Sequence, residues 1–305
     1  MDLVPESDFT STASNTTMIP NGAEIVELRR VAVHLAETAA AHVRARRPEV
    51  FGPGARETGA VQSKSTPTDP VTIVDTETEQ LVRKLVAELR PGDHVLGEED
   101  GGTLAADPEA VHWVVDPIDG TVNFVYGIPA YSVSVAAVRG GRSVAGAVAD
   151  VAHGVTYSAG LGQGAHRTEP GAEPIPLRCN EVEAASMALV ATGFAYGDKR
   201  RTRQGELVAQ VLPYVRDIRR IGSAALDLCM VAEGRVDAHY EHGLNLWDWA
   251  AGALIAAEAG ARLRVPAPDV PGRAGELVVA VAHGIADELI GLFERLYVIT
   301  PIPEP

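Results

Sequence analysis

Residues 113–124 read Trp113-Val114-Val115-Asp116-Pro117-Ile118-Asp119-Gly120-Thr121-Val122-Asn123-Phe124, and the fold turns on them. An apolar strand runs straight into two carboxylates, Asp116 and Asp119. Pro117 fixes one φ, and Gly120 permits a tight turn. Thr121 and the residues after it then open a helix, whose free N–H groups point at an anion. Carboxylates and an anion share a pocket only when a cation bridges them. Two carboxylates about 5 Å apart repel by roughly 3 kcal/mol at an effective dielectric of 20. A hard divalent ion reverses that sign, and all-oxygen ligation suits Mg²⁺.

Other acidic features fit the same picture. Gly97-Glu98-Glu99-Asp100 closes a preceding short strand. Asp248 stands between Trp247 and Trp249 at the start of a helix, as an N-cap or a ligand. Asp69 and Asp75, in Asp69-Pro70-Val71-Thr72-Ile73-Val74-Asp75, serve equally as a turn residue and a cap. Glu241 ends a strand and is a surface acid or a binding group. Taken singly, each carboxylate has an ordinary structural explanation.

Working outward, Asn21 with Glu24 caps a first helix carried by Ile25, Leu28, Val31, Ala32, Leu35 and Ala39, with Pro48 ending it. Residues 52–70 hold Gly and Pro without a period and form a long loop. Thr76 with Glu79 starts a second helix, stopped by Pro91-Gly92. Strands at 94–97 and 111–115 follow, then a hairpin of 131–138 and 143–151, and a strand at 155–159. After residue 165 strands and helices alternate: 187–192, helix 204–211, 217–221, helix 223–233, 236–240, helix 247–259, 262–265, 277–281 and helix 285–296. This predicts an α/β protein. Residues 1–22 form a disordered tail, 23–165 an α+β lobe that carries Glu98, Asp116 and Asp119, and 166–305 an α/β lobe that carries Glu241 and Asp248.

Composition narrows the function. Hydrophobic residues are 46% and charged residues 22% of 305, which excludes wholesale disorder and a disulfide-stapled miniprotein. No run reaches the roughly 18 apolar residues of a spanning helix, so no membrane role is expected. Net charge −15 repels phosphate backbones and disfavours nucleic acid. Local exceptions are Arg44-Arg46-Arg47, Lys199-Arg200-Arg201-Arg203 and Arg219-Arg220, read as solvated faces or partner surfaces. Cys179 and Cys229 have no metal spacing and are expected as reduced thiols; with no export signal, the cytoplasm is the expected compartment. Gly160-Leu161-Gly162-Gln163-Gly164 superficially fits a dinucleotide fingerprint, but no helix can follow it, so it is a turn.

Together, the segments Lys64 to Asp75, Gly97-Glu98-Glu99, Trp113 to Phe124, Arg220-Ile221-Gly222-Ser223-Ala224-Ala225, and Glu241 with Trp247-Asp248-Trp249-Ala250-Ala251-Gly252 resemble the inositol monophosphatase family, in order from about residue 25 to 295. The resemblance implies an α-β-α-β-α layered fold and a Mg²⁺-dependent, lithium-sensitive phosphomonoesterase, usually a homodimer, with two to three Mg²⁺ per site. By motif position Glu98, Asp116 and the Ile118 carbonyl resemble ligands of one metal, and Asp116, Asp119 and Asp248 those of a second. Glu98 also faces a third, weaker one. Asp75 and Thr121, with Glu98, resemble the catalytic group that activates the attacking water. Asp119, Gly120, Thr121, Gly222, Ser223, Ala224, Glu241 and Asp248 resemble the residues around the substrate, with Glu241 accepting from inositol hydroxyls. Lys64 lies on a loop that in relatives closes over the site. Val122 and Asp100 depart from the usual Thr and Ser but remove no ligand.

The substrate so implied is a small phosphorylated polyol, myo-inositol-1-phosphate first. Fructose 1,6-bisphosphate, histidinol phosphate, a 3′-phosphonucleotide or NADP are alternatives within the same chemistry. A different class is a binding protein, because some relatives associate with the transcription machinery.

Overall fold

A computed structural model describes residues 20–52, 61–63, 70–104 and 107–304. Most of the expected tail, and Lys64 and Asp69, lie outside the described residues. In chain order the elements are α1 (Gly22–Phe51), β1 (Val61–Ser63), β2 (Pro70–Thr72), α2 (Ile73–Leu89), β3 (His94–Gly97), β4 (His112–Asp119), α3 (Thr121–Tyr126), β5 (Ser132–Arg139), β6 (Arg142–Asp150), β7 (Val155–Gly160), β8 (Ala165–Thr168), β9 (Ile175–Pro176), β10 (Leu189–Thr192), α4 (Asp198–Val211), β11 (Asp217–Arg219), α5 (Ala224–Ala232), β12 (Ala238–His242), α6 (Leu246–Glu258), β13 (Arg262–Arg264), β14 (Leu277–Val281) and α7 (Ala286–Arg295).

Asn21 caps α1, its side chain accepting from the Glu24 N–H at 3.0 Å. Pro48 does not end this helix. It lies inside the last turn, which closes past it through Gly52 N–H to Pro48 O. A proline this close to the end forfeits one backbone bond and leaves the rest of the turn intact. The second helix begins before Thr76. Thr72 caps it, and Asp75 is the reciprocal partner, accepting from the Thr72 N–H at 3.0 Å. Thr72-x-x-Asp75 and Thr76-x-x-Glu79 carry the same spacing; the chain uses the first, and Glu79 turns instead to the Glu99 and Asp100 N–H groups. Part of the expected 52–70 loop is strand, since β1 pairs antiparallel with β2.

The first sheet runs β3-β4-β5-β6-β7-β8-β9. Only β3 with β4 is parallel; every other pair is antiparallel. This sheet continues through β8 and β9, so residue 165 falls at the start of a strand, not between lobes. The second sheet runs β11-β10-β12-β14-β13 and is mixed. Helix α4 starts at Asp198, six residues before the expected Gln204. Its inward stripe is Arg200, Gln204, Leu207 and Val211, half of it polar, so apolar periodicity misses the first turns.

Five layers follow from which side chains share a core. Along β4, Trp113 and Val115 face α1 and α2, packing with Leu28, Leu35 and Val82, while Val114 faces the other way. There α5 and α6 fill the space between the two sheets, with Leu228, Cys229 and Ile255 against Val278 and Ala280 of β14. The far face of β14, at Val279, packs with Leu207 of α4 and Leu289 and Phe293 of α7. Strands buried on both faces read as continuous apolar runs, as β4 and β14 do. Both cysteines are free thiols. Among the described residues no helix is long and apolar enough to cross a membrane.

The middle layer is tight. A Cβ at Gly252 of α6 would lie 2.8 Å from Leu228 Cβ and 3.2 Å from Ala225 O of α5. Gly252→Val is expected to lower unfolding free energy by about 1–3 kcal/mol, measured by urea titration. Unchanged stability would mean the two helices are not held this close.

Candidate functional site

The end of β4 sets the site's geometry. Its pairing with β5 shifts register between Asp116 and Asp119, so the strand bulges where Pro117 and Ile118 stand. Asp116 Oδ1 accepts from the Ile118 N–H at 3.0 Å. Gly120 then turns the chain at φ 95, a conformation costly for other residues, and α3 opens at Thr121. The Thr121 hydroxyl lies 3.1 Å from Asp75 Oδ1 and 3.0 Å from Ile118 O. Asp75 Oδ2 is taken by the Thr72 N–H and hydroxyl. Asn123 Nδ2 donates to Ala130 O and Ile221 O, at 2.7 and 2.9 Å, which fixes α3 against the turn before α5.

Two helix N-termini of the middle layer complete the wall. Asp119 Oδ2 accepts from the Ser223 hydroxyl at 2.6 Å and the Ala225 N–H at 2.7 Å. Ser223 also caps α5. The hydroxyl expected near substrate therefore positions Asp119. Asp248 Oδ2 accepts from the Asn245 N–H at 2.6 Å, so Asp248 sits in the first turn of α6 with Asn245 as the cap. Glu98 follows β3, and its N–H donates to Val115 O at 3.2 Å. Glu79, buried on α2, holds the next turn by accepting from the Glu99 and Asp100 N–H groups at 2.7 and 3.0 Å. The sequence shows Glu79 only as a capping candidate; that it turns inward follows from Gly97, which leaves room for its carboxylate.

A cleft of about 770 Å³ gathers Glu98, Asp116, Ile118, Asp119, Gly120, Thr121, Gly222, Ser223, Ala224, Glu241 and Asp248. This is the sequence-predicted set except Asp75, which is buried behind Thr121 rather than on the wall. The crowding shows in the acid equilibria. Burial pushes Asp119 up to about 6, with Glu98 adding to the rise and the Ser223 and Ala225 bonds opposing it. Burial, then Glu98 and Asp119, hold Asp248 well above the usual carboxylate range. Burial raises Glu241 to about 8, against the pull of Arg220. Among the described residues no group of three or more His, Cys, Asp and Glu stands ready-made to hold an ion. The fit is one of donor chemistry and charge. All donors are oxygen, and their mutual repulsion is what a hard divalent cation relieves.

The same cleft brings in residues that composition treats as surface. Lys199, Arg200 and Arg220 line it, together with Phe194, Tyr196, Arg273 and Glu304. The cluster at 44–47 is instead structural: Arg44 Nε donates to Val151 O, Arg47 Nε to Phe124 O, and Arg46 pairs with Glu77. Gly160 to Gly164 forms the turn between β7 and β8, as expected.

The inositol monophosphatase family profile matches residues 24–296. A Mycobacterium tuberculosis protein named inositol-1-monophosphatase SuhB is 58% identical over 286 residues, 92% of this chain and 98% of that protein. The solved structure of Mycobacterium tuberculosis SuhB superposes with a TM-score of 0.75 at 55% identity, covering 89% of this chain and 97% of the other. A Pasteurella multocida protein named Nus factor SuhB is 38% identical over 193 residues, 63% of this chain and 70% of that protein. With the motif order, the layered fold and these relatives in agreement, the chain belongs to the inositol monophosphatase family and is a phosphatase.

Proposed function

We propose that the protein hydrolyses myo-inositol-1-phosphate to inositol and phosphate with Mg²⁺. The observation that carries this reading is the meeting of Glu98, Asp116, Asp119 and Asp248 with Glu241 in one cleft. Glu98, Asp116 and the Ile118 carbonyl would hold one ion, and Asp116, Asp119 and Asp248 a second, with a third weaker one at Glu98. Bound Mg²⁺ would neutralise the phosphate dianion, lower the pKa of an attacking water and stabilise the leaving alkoxide.

The chain's own groups do the rest. The Thr121 hydroxyl donates to Asp75 Oδ1, which turns its lone pairs outward to accept from the attacking water and aim it at phosphorus. Asp75 is fixed by Thr72, so this pair is preorganised. The Gly120 and Thr121 N–H groups hold phosphate oxygens. The Ser223 and Ala225 bonds occupy one oxygen of Asp119 and leave the other for a cation. Glu241 accepts from polyol hydroxyls, with Ala224 beside the ring. No serine or cysteine nucleophile is required. The protein is read as a cytoplasmic homodimer acting on a small phosphorylated polyol. A second reading, association with the transcription machinery, draws on the name of the Pasteurella relative.

Phosphate release should be fastest on inositol-1-phosphate against fructose 1,6-bisphosphate, histidinol phosphate and NADP, abolished by chelation and inhibited by lithium. Preference for another ester would overturn the substrate and keep the chemistry. Asp119→Asn should lower kcat at least about a hundredfold. If that variant still restores growth to a deletion strain, the partner reading moves ahead. Thr121→Ala should lower kcat with little change in KM; a pure KM effect would remove the hydroxyl from the reaction.

Glu241 also makes a stability prediction for the chelated protein. Its folded pKa, about 8, lies above the ordinary 4.5, so the native state binds more protons between those values. Stability therefore falls as pH rises from about 4.5 to 8, and Glu241→Gln should flatten part of that fall in urea titrations across this range. An unchanged slope would contradict the burial assigned to this carboxyl.

A further inference from the structure

Asp227 of α5 and His239 of β12 are 1% and 0% exposed, and neither lines the cleft. In the β12 register His239 lies between Ala191 of β10 and Ala280 of β14, both in the core that α5 and α6 share with the second sheet. Neither neighbour offers a side-chain donor or acceptor. Asp227 comes from α5, with Oδ2 3.7 Å from His239 Nδ1. Among the described residues Asp227 Oδ1 and both His239 ring nitrogens have no hydrogen bond. Stability does not explain such a pair, because well-packed apolar residues in its place are often neutral or stabilising.

Its surroundings connect it to the site. Strand side chains alternate, so His239 and Glu241 leave β12 on one face, while Tyr240 leaves the other, into the core with Phe293. The Glu241 carboxylate lies against Gly193, just past β10, in space that a Cβ there would fill. Asp227 stands one turn along α5 from Ser223, donating its N–H to Ser223 O at 3.0 Å, and Ser223 grips Asp119. The pair therefore backs both Glu241 and Asp119.

A lone carboxylate in an apolar layer is costly, and so is a lone imidazolium. The charged groups facing Asp227 are Glu241, Asp119 and Arg220. Burial, then Glu241 and Asp119, push Asp227 well above the usual carboxylate range, against the pull of Arg220. Burial lowers His239 to about 3. The carboxyl keeps its proton and the imidazole stays neutral. A shift of about 0.8 Å brings Oδ2 and Nδ1 to hydrogen-bond distance.

We propose that Asp227 and His239 are positioning residues for the polyol end of the cleft, sharing one proton that Asp227 donates to His239 Nδ1. The shared proton keeps the floor beneath Glu241 uncharged and holds that end of β12 against α5. An anionic Asp227 would oppose negative charge on Glu241; a neutral one leaves Glu241 to take it up. The proposal rests on the reading that Glu241 meets substrate hydroxyls.

Infrared spectra of the wild type minus Asp227→Asn, both in Mg²⁺ at neutral pH, should contain the carbonyl band of a protonated carboxyl. A carboxylate band in its place would overturn the shared proton. Two esters test the positioning: inositol 1-phosphate, and p-nitrophenyl phosphate, which bears no free hydroxyl. Asp227→Asn keeps a neutral donor, so KM for inositol 1-phosphate and its pH profile should hold. A profile moved to lower pH would mean that a charge had been removed, and would sink the proposal. His239→Leu removes the acceptor. KM for inositol 1-phosphate should then rise about fivefold or more, with its kcat and both constants for p-nitrophenyl phosphate held. His239→Gln, which accepts through Oε1, should restore most of that loss. Equal changes for the two esters, or none, would overturn the positioning role. If His239→Leu does not fold, the infrared band and the Asp227→Asn profile still decide. If the wild type hydrolyses p-nitrophenyl phosphate but not inositol 1-phosphate, the polyol reading fails, while the infrared band still decides the shared proton.

Discussion

The arrangement depends on holding several carboxylates close together in a largely buried place. Like charges there oppose each other and oppose folding. The chain answers with backbone donors. Asp116 is held by the Ile118 N–H, Asp119 by Ser223 and the Ala225 N–H, and Asp248 by the Asn245 N–H. Each bond fixes one oxygen and so aims the other. The remaining repulsion lifts Asp119 and Asp248 above the usual range. A site with that residual charge is built to gain from a cation.

The middle layer turns this local chemistry into a fold requirement. Helices α5 and α6 lie between the two sheets, and both begin at the cleft. The close approach at Gly252 sets their spacing, and with it the distance from Ser223 to Asp248. The outer helix α2 contributes from the opposite side of the first sheet: its first turn carries Asp75 toward Thr121, and its second carries Glu79 under the Glu98 turn. Three layers therefore converge on the end of β4. Displacing any of them moves a carboxylate rather than only loosening a core.

The acidic half of the site was legible in the sequence because its signals are local. A strand ending in Asp116-Pro117-Ile118-Asp119-Gly120-Thr121 states its own turn, and Trp247-Asp248 states its own helix start. The basic half was not. Lys199, Arg200 and Arg220 read as solvated charge, since nothing within a few residues distinguishes a cation on a cleft wall from one in water. Glu304 and Arg273 meet α4 at the Arg200 guanidinium, across a long stretch of chain. Helix boundaries failed for a related reason. Thr72 and Thr76 offer equal caps, and the engagement of Glu79 by the Glu99 and Asp100 N–H groups, far along the chain, leaves the first. The polar first turns of α4 lack an apolar stripe because Arg200 fills the inward position.

The sequence by itself determined most of the strand–helix order, the identity of the carboxylates and many of the positions where the backbone must turn, because propensity, patterning and capping act over a few residues. The tertiary structure alone decided that Asp75 stands behind Thr121, that Ser223 grips Asp119, and that the cleft runs on to a cationic end. Those facts depend on which faces of α2, α4, α5 and α6 are buried against the two sheets. Packing settles that over distances that no local spacing encodes.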